Sequence, residues 1–212
     1  MDRRHFSSAA LLTAAISPLS VSAQELPFAG KHYVEVSPRQ PTRDRKRVEV
    51  LEFFAYSCEH CLLFEPLLDA WQKRLPAGVL FRRIPVAFRD GPFVSHQKLY
   101  FAIEHLGLVD RLHGKVFAAM HLDRQRLDTP ERIAEFGTRN GVAPSKLLDA
   151  FNSFTVASRA KEAHSLTIGY KVAGTPSLGV DGRWRTSGAL TGSNERSLAV
   201  AEFLIGEAKR LL

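Results

Sequence analysis

From Val48 to Ala55 the chain reads Val48-Glu49-Val50-Leu51-Glu52-Phe53-Phe54-Ala55, nearly continuous in apolar, β-branched and aromatic residues. Such a run predicts a central strand covered on both faces. The period then changes. Leu62, Leu63, Phe64, Leu67, Leu68, Trp71 and Leu75 recur at helical spacing, and Val79 to Val86 returns to a strand pattern. Strand, helix and strand over about forty residues make a βαβ unit. From Pro92 to Tyr170 the pattern is helical throughout. Tyr100, Phe101, Ile103 and Leu106 mark one segment, and Leu112, Val116, Phe117 and Met120 the next. Thr129-Pro130-Glu131 predicts a helix start, with a capping hydroxyl and proline in the first turn. Leu147, Leu148, Phe151 and Phe154 mark a fourth helix, and Val156 to Tyr170 a fifth.

Strand signals return at Ser177-Leu178-Gly179-Val180 and Arg183-Trp184-Arg185-Thr186, joined by Asp181-Gly182 as a hairpin turn. A last helix opens at Asn194-Glu195, with apolar residues that include Leu198, Val200, Phe203, Leu204 and Leu211. Five helices in a row cannot continue an α/β alternation. The expected fold is therefore α/β, a thioredoxin fold interrupted by an all-helical domain. Residues 24–90 and 171–212 form the thioredoxin-like part, and residues 91–170 the insertion.

The N-terminus changes the setting. Arg3 and Arg4 precede a short apolar stretch from Ala9 to Val21, and Val21-Ser22-Ala23 fits the small-x-small cleavage rule. Residues 1–23 are expected to be a cleaved signal peptide, by the Sec route or, given Arg3-Arg4-His5-Phe6, the twin-arginine route. Cleavage lowers the formal charge from +7 to +6, with Arg3, Arg4 and Asp2 removed. The basic residues are scattered, no nucleic-acid motif is present, and no nucleic-acid partner is expected.

Export gives weight to the cysteines, of which there are two, Cys58 and Cys61. Three positions apart, they can close a disulfide with each other but cannot build a structural framework. They sit where the first strand hands over to a helix N-terminus. There the free N–H groups and the helix dipole favour a thiolate on Cys58, and His60 adds positive charge or a hydrogen bond. Stabilising the thiolate stabilises the reduced protein and makes the disulfide a stronger oxidant. Cys58 is expected to be exposed and to form the mixed disulfide, with Cys61 shielded as the resolving thiol. A structural zinc site needs four ligands, and the spacing of His96, His105, His113, His121 and His164 offers no ligand pair. No metal and no cofactor beyond a redox-active Cys58–Cys61 disulfide are expected.

These residues resemble the DsbA family of periplasmic thiol:disulfide oxidoreductases. The resemblance rests on Val50-Leu51-Glu52-Phe53-Phe54, then Cys58-x-His60-Cys61, then Val172-Ala173-Gly174-Thr175-Pro176. It implies a cis proline at Pro176 beside the disulfide, with the Thr175 backbone presented to an extended substrate. It also implies that Glu52 is a buried acid that exchanges a proton with Cys61. The implied partners are exported proteins with reduced cysteines and a DsbB-like, quinone-linked reoxidant in the inner membrane. The implied place is the periplasm, and with only about two dozen residues between the cleavage site and the first active-site strand a monomer is expected.

Two departures stand out. Glu59 replaces the proline usual between the cysteines in that family and should oppose the Cys58 thiolate. Pro66 falls inside the active-site helix, as in thioredoxin. Two other readings remain: a periplasmic disulfide isomerase or reductase, and a thioredoxin-fold chaperone or metal-binding module.

Overall fold

A computed structural model describes residues 25–212; the expected signal peptide, residues 1–23, lies outside the described residues. The chain runs β1 (Val34–Glu35), β2 (Val48–Phe54), α1 (Glu59–Gln72) and β3 (Val79–Pro85). Five helices follow: α2 (Pro92–His105), α3 (Val109–His121), α4 (Pro130–Arg139), α5 (Pro144–Phe151) and α6 (Phe154–Gly169). Then come β4 (Ser177–Val180), β5 (Trp184–Thr186), α7 (Gly188–Thr191) and α8 (Asn194–Lys209). The five strands form one sheet in the order β1-β5-β4-β2-β3.

β2 is the pivot of the sheet. It pairs parallel with β3 and antiparallel with β4, and all seven of its residues are buried. Val48 and Val50 pack with Phe64, Leu68 and Trp71 of α1 and Leu204 of α8. Leu51 and Phe53 belong to the other core, which continues into the α2–α6 helices through Leu99, Ile103 and Val116. Burial on both faces is what the near-continuous apolar run demands.

Local signals act where the sequence places them. Thr129 caps α4, its hydroxyl accepting from the Arg132 N–H at 3.4 Å. At the β4–β5 turn both Asp181 (φ 51°) and Gly182 (φ 70°) are left-handed, the backbone of a two-residue hairpin. A Cβ on Gly182 would also stand 2.1 Å from the Gln40 carbonyl oxygen, so that position needs glycine twice over.

One boundary differs from expectation. Phe154 does not belong to the helix of Leu147, Leu148 and Phe151; it opens α6 and is 87% exposed. Ser153 makes the break, because its side chain accepts the Val156 N–H at 3.2 Å and starts a new helix. β1 and α7 carry too few residues to show a period.

Candidate active site

Because Phe53 pairs with Ser177 in the β2–β4 register, the residues just before β4 lie beside those just after β2. That register brings Thr175 and Pro176, far away in sequence, to the N-terminus of α1. Cys58 is the N-cap of α1, and its Sγ accepts the Cys61 N–H at 3.3 Å. The same sulfur lies 3.3 Å from the Thr175 carbonyl oxygen. The Thr175–Pro176 peptide is cis. Both cysteines are free thiols; Cys58 is half-buried and Cys61 has no exposed surface.

The two sulfurs are chemically unlike. The Cys61 thiol, hydrogen-bonded to Cys58, does most to pull the Cys58 pKa down from 9.0 to about 5. Burial opposes this, while the Thr175 side chain, the Cys61 N–H and the positive charge of His60 add to it. Cys61 moves the opposite way. Burial, the neighbouring Cys58 and the Glu52 carboxyl push it far above the ordinary thiol range. One thiol is poised as the thiolate and the other as a held proton.

Glu59 and His60 are both exposed on the first turn of α1. His60 acts on Cys58 less than the hydrogen bonds do, and Glu59 is not among the principal influences on that sulfur. An exposed charge couples weakly, by about 0.2–1 kcal/mol. At 30 mV per 1.4 kcal/mol, Glu59→Pro is expected to raise the reduction potential by only about 5–20 mV. Proline is accepted at this first helical position, so the fold should hold. An unchanged potential in glutathione buffers would remove Glu59 from the tuning of the pair.

Beneath the pair, β2 and β3 register Glu52 against Arg83. Glu52 has no exposed surface, and burial first, then the Glu65 carboxylate, raise its pKa well above the usual carboxylate range. Arg83 Nε stands 3.2 Å from Glu52 Oε2 but is not aligned for a hydrogen bond, so neither Glu52 oxygen has a hydrogen-bond partner among the described residues. The Arg83 guanidinium turns instead to α1, with Nη2 donating to Glu65 Oε2 and Asp69 Oδ1, both at 2.9 Å. His113 of α3 lies 3.1 Å from Glu65 Oε1 through Nε2 and 2.8 Å from the Tyr56 hydroxyl through Nδ1. His121 Nε2 meets the Tyr56 carbonyl oxygen at 2.7 Å. The segment leading into Cys58 is thus fastened to the α3 helix by two histidines.

Sequence reasoning selected Cys58, Cys61, Glu59, His60, Glu52, Thr175 and Pro176. The structure gathers His60, Thr175 and Pro176 around the half-buried Cys58, with Cys61 buried behind it and Glu52 close enough to act on Cys61. It missed Arg83, Glu65, His113 and Tyr56. The adjacent arginines Arg82-Arg83 inside an apolar strand were the one visible signal. Also missed was the wall that α7 builds beside Pro176, where His60, Thr175, Pro176, Ser187 and Leu190 line a groove of about 700 Å³. Among the described residues no group of three or more His, Cys, Asp or Glu side chains is placed to hold a metal ion.

Residues 92–197 match the family model of the DSBA-like thioredoxin domain. The thiol:disulfide interchange protein DsbA of Azotobacter vinelandii is 37% identical over 180 residues, covering 85% of this chain and 84% of that protein. Its counterpart in Pseudomonas aeruginosa is 35% identical over 198 residues, 93% of each chain. The chain belongs to the DsbA family. Among solved structures, the crystal structure of Pseudomonas aeruginosa DsbA superposes with a TM-score of 0.84, covering 87% of this chain and 96% of that one at 35% identity. The oxidoreductase DsbA of Xylella fastidiosa gives 0.81, covering 89% and 100% at 29% identity. A thioredoxin-like fold and protein-disulfide oxidoreductase activity follow from DsbA membership, and the family works through a redox-active disulfide.

Proposed function

We propose that this protein donates a Cys58–Cys61 disulfide to exported proteins carrying reduced cysteines. The observation that carries this assignment of roles is the opposition of the two thiols, Cys58 held near a pKa of 5 and Cys61 held protonated. A substrate thiolate attacks Cys58 Sγ, the S–S bond breaks, and Cys61 leaves with the electron pair. Glu52, whose buried carboxyl favours the protonated form, supplies the proton that neutralises Cys61. The substrate's second thiolate then attacks its own sulfur in the mixed disulfide. That step releases Cys58 as a thiolate and leaves the substrate oxidised. Cys58 is a good leaving group because its thiolate is stable.

Substrate is held by the backbone at Thr175 and by the groove next to Pro176, as an added extended segment that is not read for sequence. The direction of flow follows from the same asymmetry: a stabilised Cys58 thiolate favours the reduced protein, so the disulfide gives up its oxidising equivalents readily. Reoxidation runs the steps backwards, with Glu52 now taking the Cys61 proton, at a DsbB-like quinone-linked protein of the inner membrane. The segment 1–23 supports a periplasmic location. The helices from Pro92 to Gly169, placed between β3 and β4, support an insertion of residues 91–170 within a thioredoxin-like domain of residues 24–90 and 171–212.

The test is the equilibrium potential of the pair in glutathione buffers, with zinc assayed on the same sample. A potential well above the roughly −270 mV of thioredoxin is expected, without zinc. Cys58→Ser should lose dithiol oxidation entirely, and Cys61→Ser should accumulate mixed disulfides through Cys58. A thioredoxin-like potential would assign the protein to disulfide reduction or isomerisation. Activity surviving Cys58→Ser would assign it to a chaperone role.

A further inference from the structure

Ala55, Tyr56 and Ser57 carry the chain from β2 to the Cys58 N-cap and belong to neither strand nor helix. A backbone hydrogen bond closes this turn, from the Cys58 N–H to the Ala55 carbonyl oxygen at 3.0 Å. The polar contacts that hold the turn from outside centre on Tyr56 and come from α3, one of the helices between β3 and β4. The Tyr56 carbonyl can only accept, so His121 Nε2 donates to it at 2.7 Å. The Tyr56 hydroxyl meets His113 Nδ1 at 2.8 Å.

The proton positions along this chain follow from its far end. Burial pushes the Glu65 pKa up, but His113 and Arg83 together hold it below its ordinary value. Glu65 is therefore a carboxylate that accepts from Arg83 Nη2 at 2.9 Å and from His113 Nε2 at 3.1 Å. Burial keeps His113 neutral against the pull of Glu65, which leaves Nδ1 to accept the Tyr56 O–H. Donor and acceptor thus alternate without a gap from Arg83 to Tyr56, and a satisfied buried network is rigid. The buried Tyr56 ring also stands edge-on to Phe54 and Phe117. Tyr56 is a fixed point two residues ahead of Cys58. What depends on it is the 3.3 Å contact between Cys58 Sγ and the Cys61 N–H. Hydrogen bonds weaken steeply with misalignment, and one to an ionised acceptor is about twice as strong as a neutral one. Misplacing Cys58 therefore costs the reduced protein, with its thiolate, more than the disulfide, whose sulfurs accept weakly.

We propose that His121 and His113 are positioning residues for the redox pair: through Tyr56, α3 holds Cys58 Sγ in line with the Cys61 N–H and so makes the disulfide a stronger oxidant. Neither histidine is among the principal groups acting directly on Cys58, so both work through the turn that carries it. A contact can shift the balance between two states only by favouring one of them, and this one favours the thiolate. The inference rests on Cys58 being the leaving thiolate of the proposed oxidase. It makes a helix outside the βαβ unit part of the tuning of the pair.

The wild type, His121→Met and His121→Gln would be compared in glutathione buffers and by alkylation of Cys58 across pH. Methionine and glutamine have nearly the same length and differ chiefly in the amide that can donate to Tyr56. His121→Met should move the exchange equilibrium about fivefold to tenfold towards the disulfide form, a fall in potential of about 20–30 mV at 30 mV per tenfold. The Cys58 midpoint should rise by a comparable factor, and glutamine should restore most of both. Tyr56→Phe releases the His113 arm without touching α3, and should move the equilibrium the same way by about twofold to fivefold. His121 is partly exposed at the end of α3, so its variants are expected to fold. Unfolding of the oxidised and reduced forms of each variant completes the cycle. A residue that only braces the fold weakens both forms alike and leaves the potential and the midpoint where they were. That result overturns the inference, as does a glutamine variant that behaves like the methionine one. An unmoved Tyr56→Phe removes His113 from it. A thioredoxin-like potential in the wild type overturns the oxidase reading itself, whatever the variants do.

Discussion

Alkylation of the reduced protein should titrate Cys58 with a midpoint near pH 5, while Cys61 stays silent throughout the same range. A thiol at 5 is about 99% ionised at pH 7, against about 1% for one at 9. The rate at pH 7 is a poor readout, however. Nucleophilicity falls with basicity, with a Brønsted slope of about 0.4–0.5, and over about four units that offsets most of the hundredfold gain in thiolate. The informative quantity is the position of the midpoint, and one above about 7.5 would remove the hydrogen-bonding account of the pair.

The same shift makes stability depend on pH, in the reduced form only. A pKa lowered on folding contributes stability above the unfolded value near 9, and loses it as pH falls through about 5. At pH 7 the full shift would correspond to about 3 kcal/mol, which solvent screening at the half-exposed sulfur cuts to about 1–2 kcal/mol. The reduced protein should therefore be the more stable redox form at neutral pH. Its advantage should fade towards pH 5. Chemical unfolding of both forms across that range measures it.

What could be read from the chain alone was what is encoded locally. The Asp181-Gly182 turn, the Thr129 cap and the buried run of β2 each depend on a few neighbouring residues, and each appears where it was expected. Cys58 and Cys61 announce themselves as a motif, and Pro176 becomes legible through the family pattern around it. The partners of Glu52 were not legible. Arg83 faces it only because the βαβ unit closes with one particular parallel register, and Glu65 and Asp69 reach Arg83 only because α1 then packs over that pair. His113 looks like any histidine on a helix until α3 is laid beside α1, where it bridges Glu65 and Tyr56. β1 has no signature of its own and exists through its pairing with β5.

Arg83→Met is expected to destabilise the protein by about 3–5 kcal/mol, the cost of leaving buried charge without its partner. Arg83 is the shared cation of Glu52, Glu65 and Asp69, and its own side chain is 10% exposed. Methionine keeps much of the volume, so the loss is one of charge and not of packing. For a chain of this size, at about 2–4 °C per kcal/mol, the melting temperature should fall by about 10 °C. The deficit should itself depend on pH. Glu52, with its pKa raised on folding, favours the folded state below about 4.5 and loses that contribution as pH rises through its folded value. Glu65 is lowered, so its contribution is present above about 4.5 and vanishes as pH falls. Without Arg83 both carboxyls are tolerated when protonated and penalised when ionised, so the deficit should be smallest near pH 4 and grow towards pH 8. Adding Glu52→Gln should recover part of it, because the amide removes a buried carboxyl that must otherwise be held protonated at a pH where the unfolded chain ionises it. A melting temperature that moves by less than about 2 °C, or a deficit flat with pH, would mean that the cluster is neutralised by another route and that Arg83 does not hold the acid beneath Cys61.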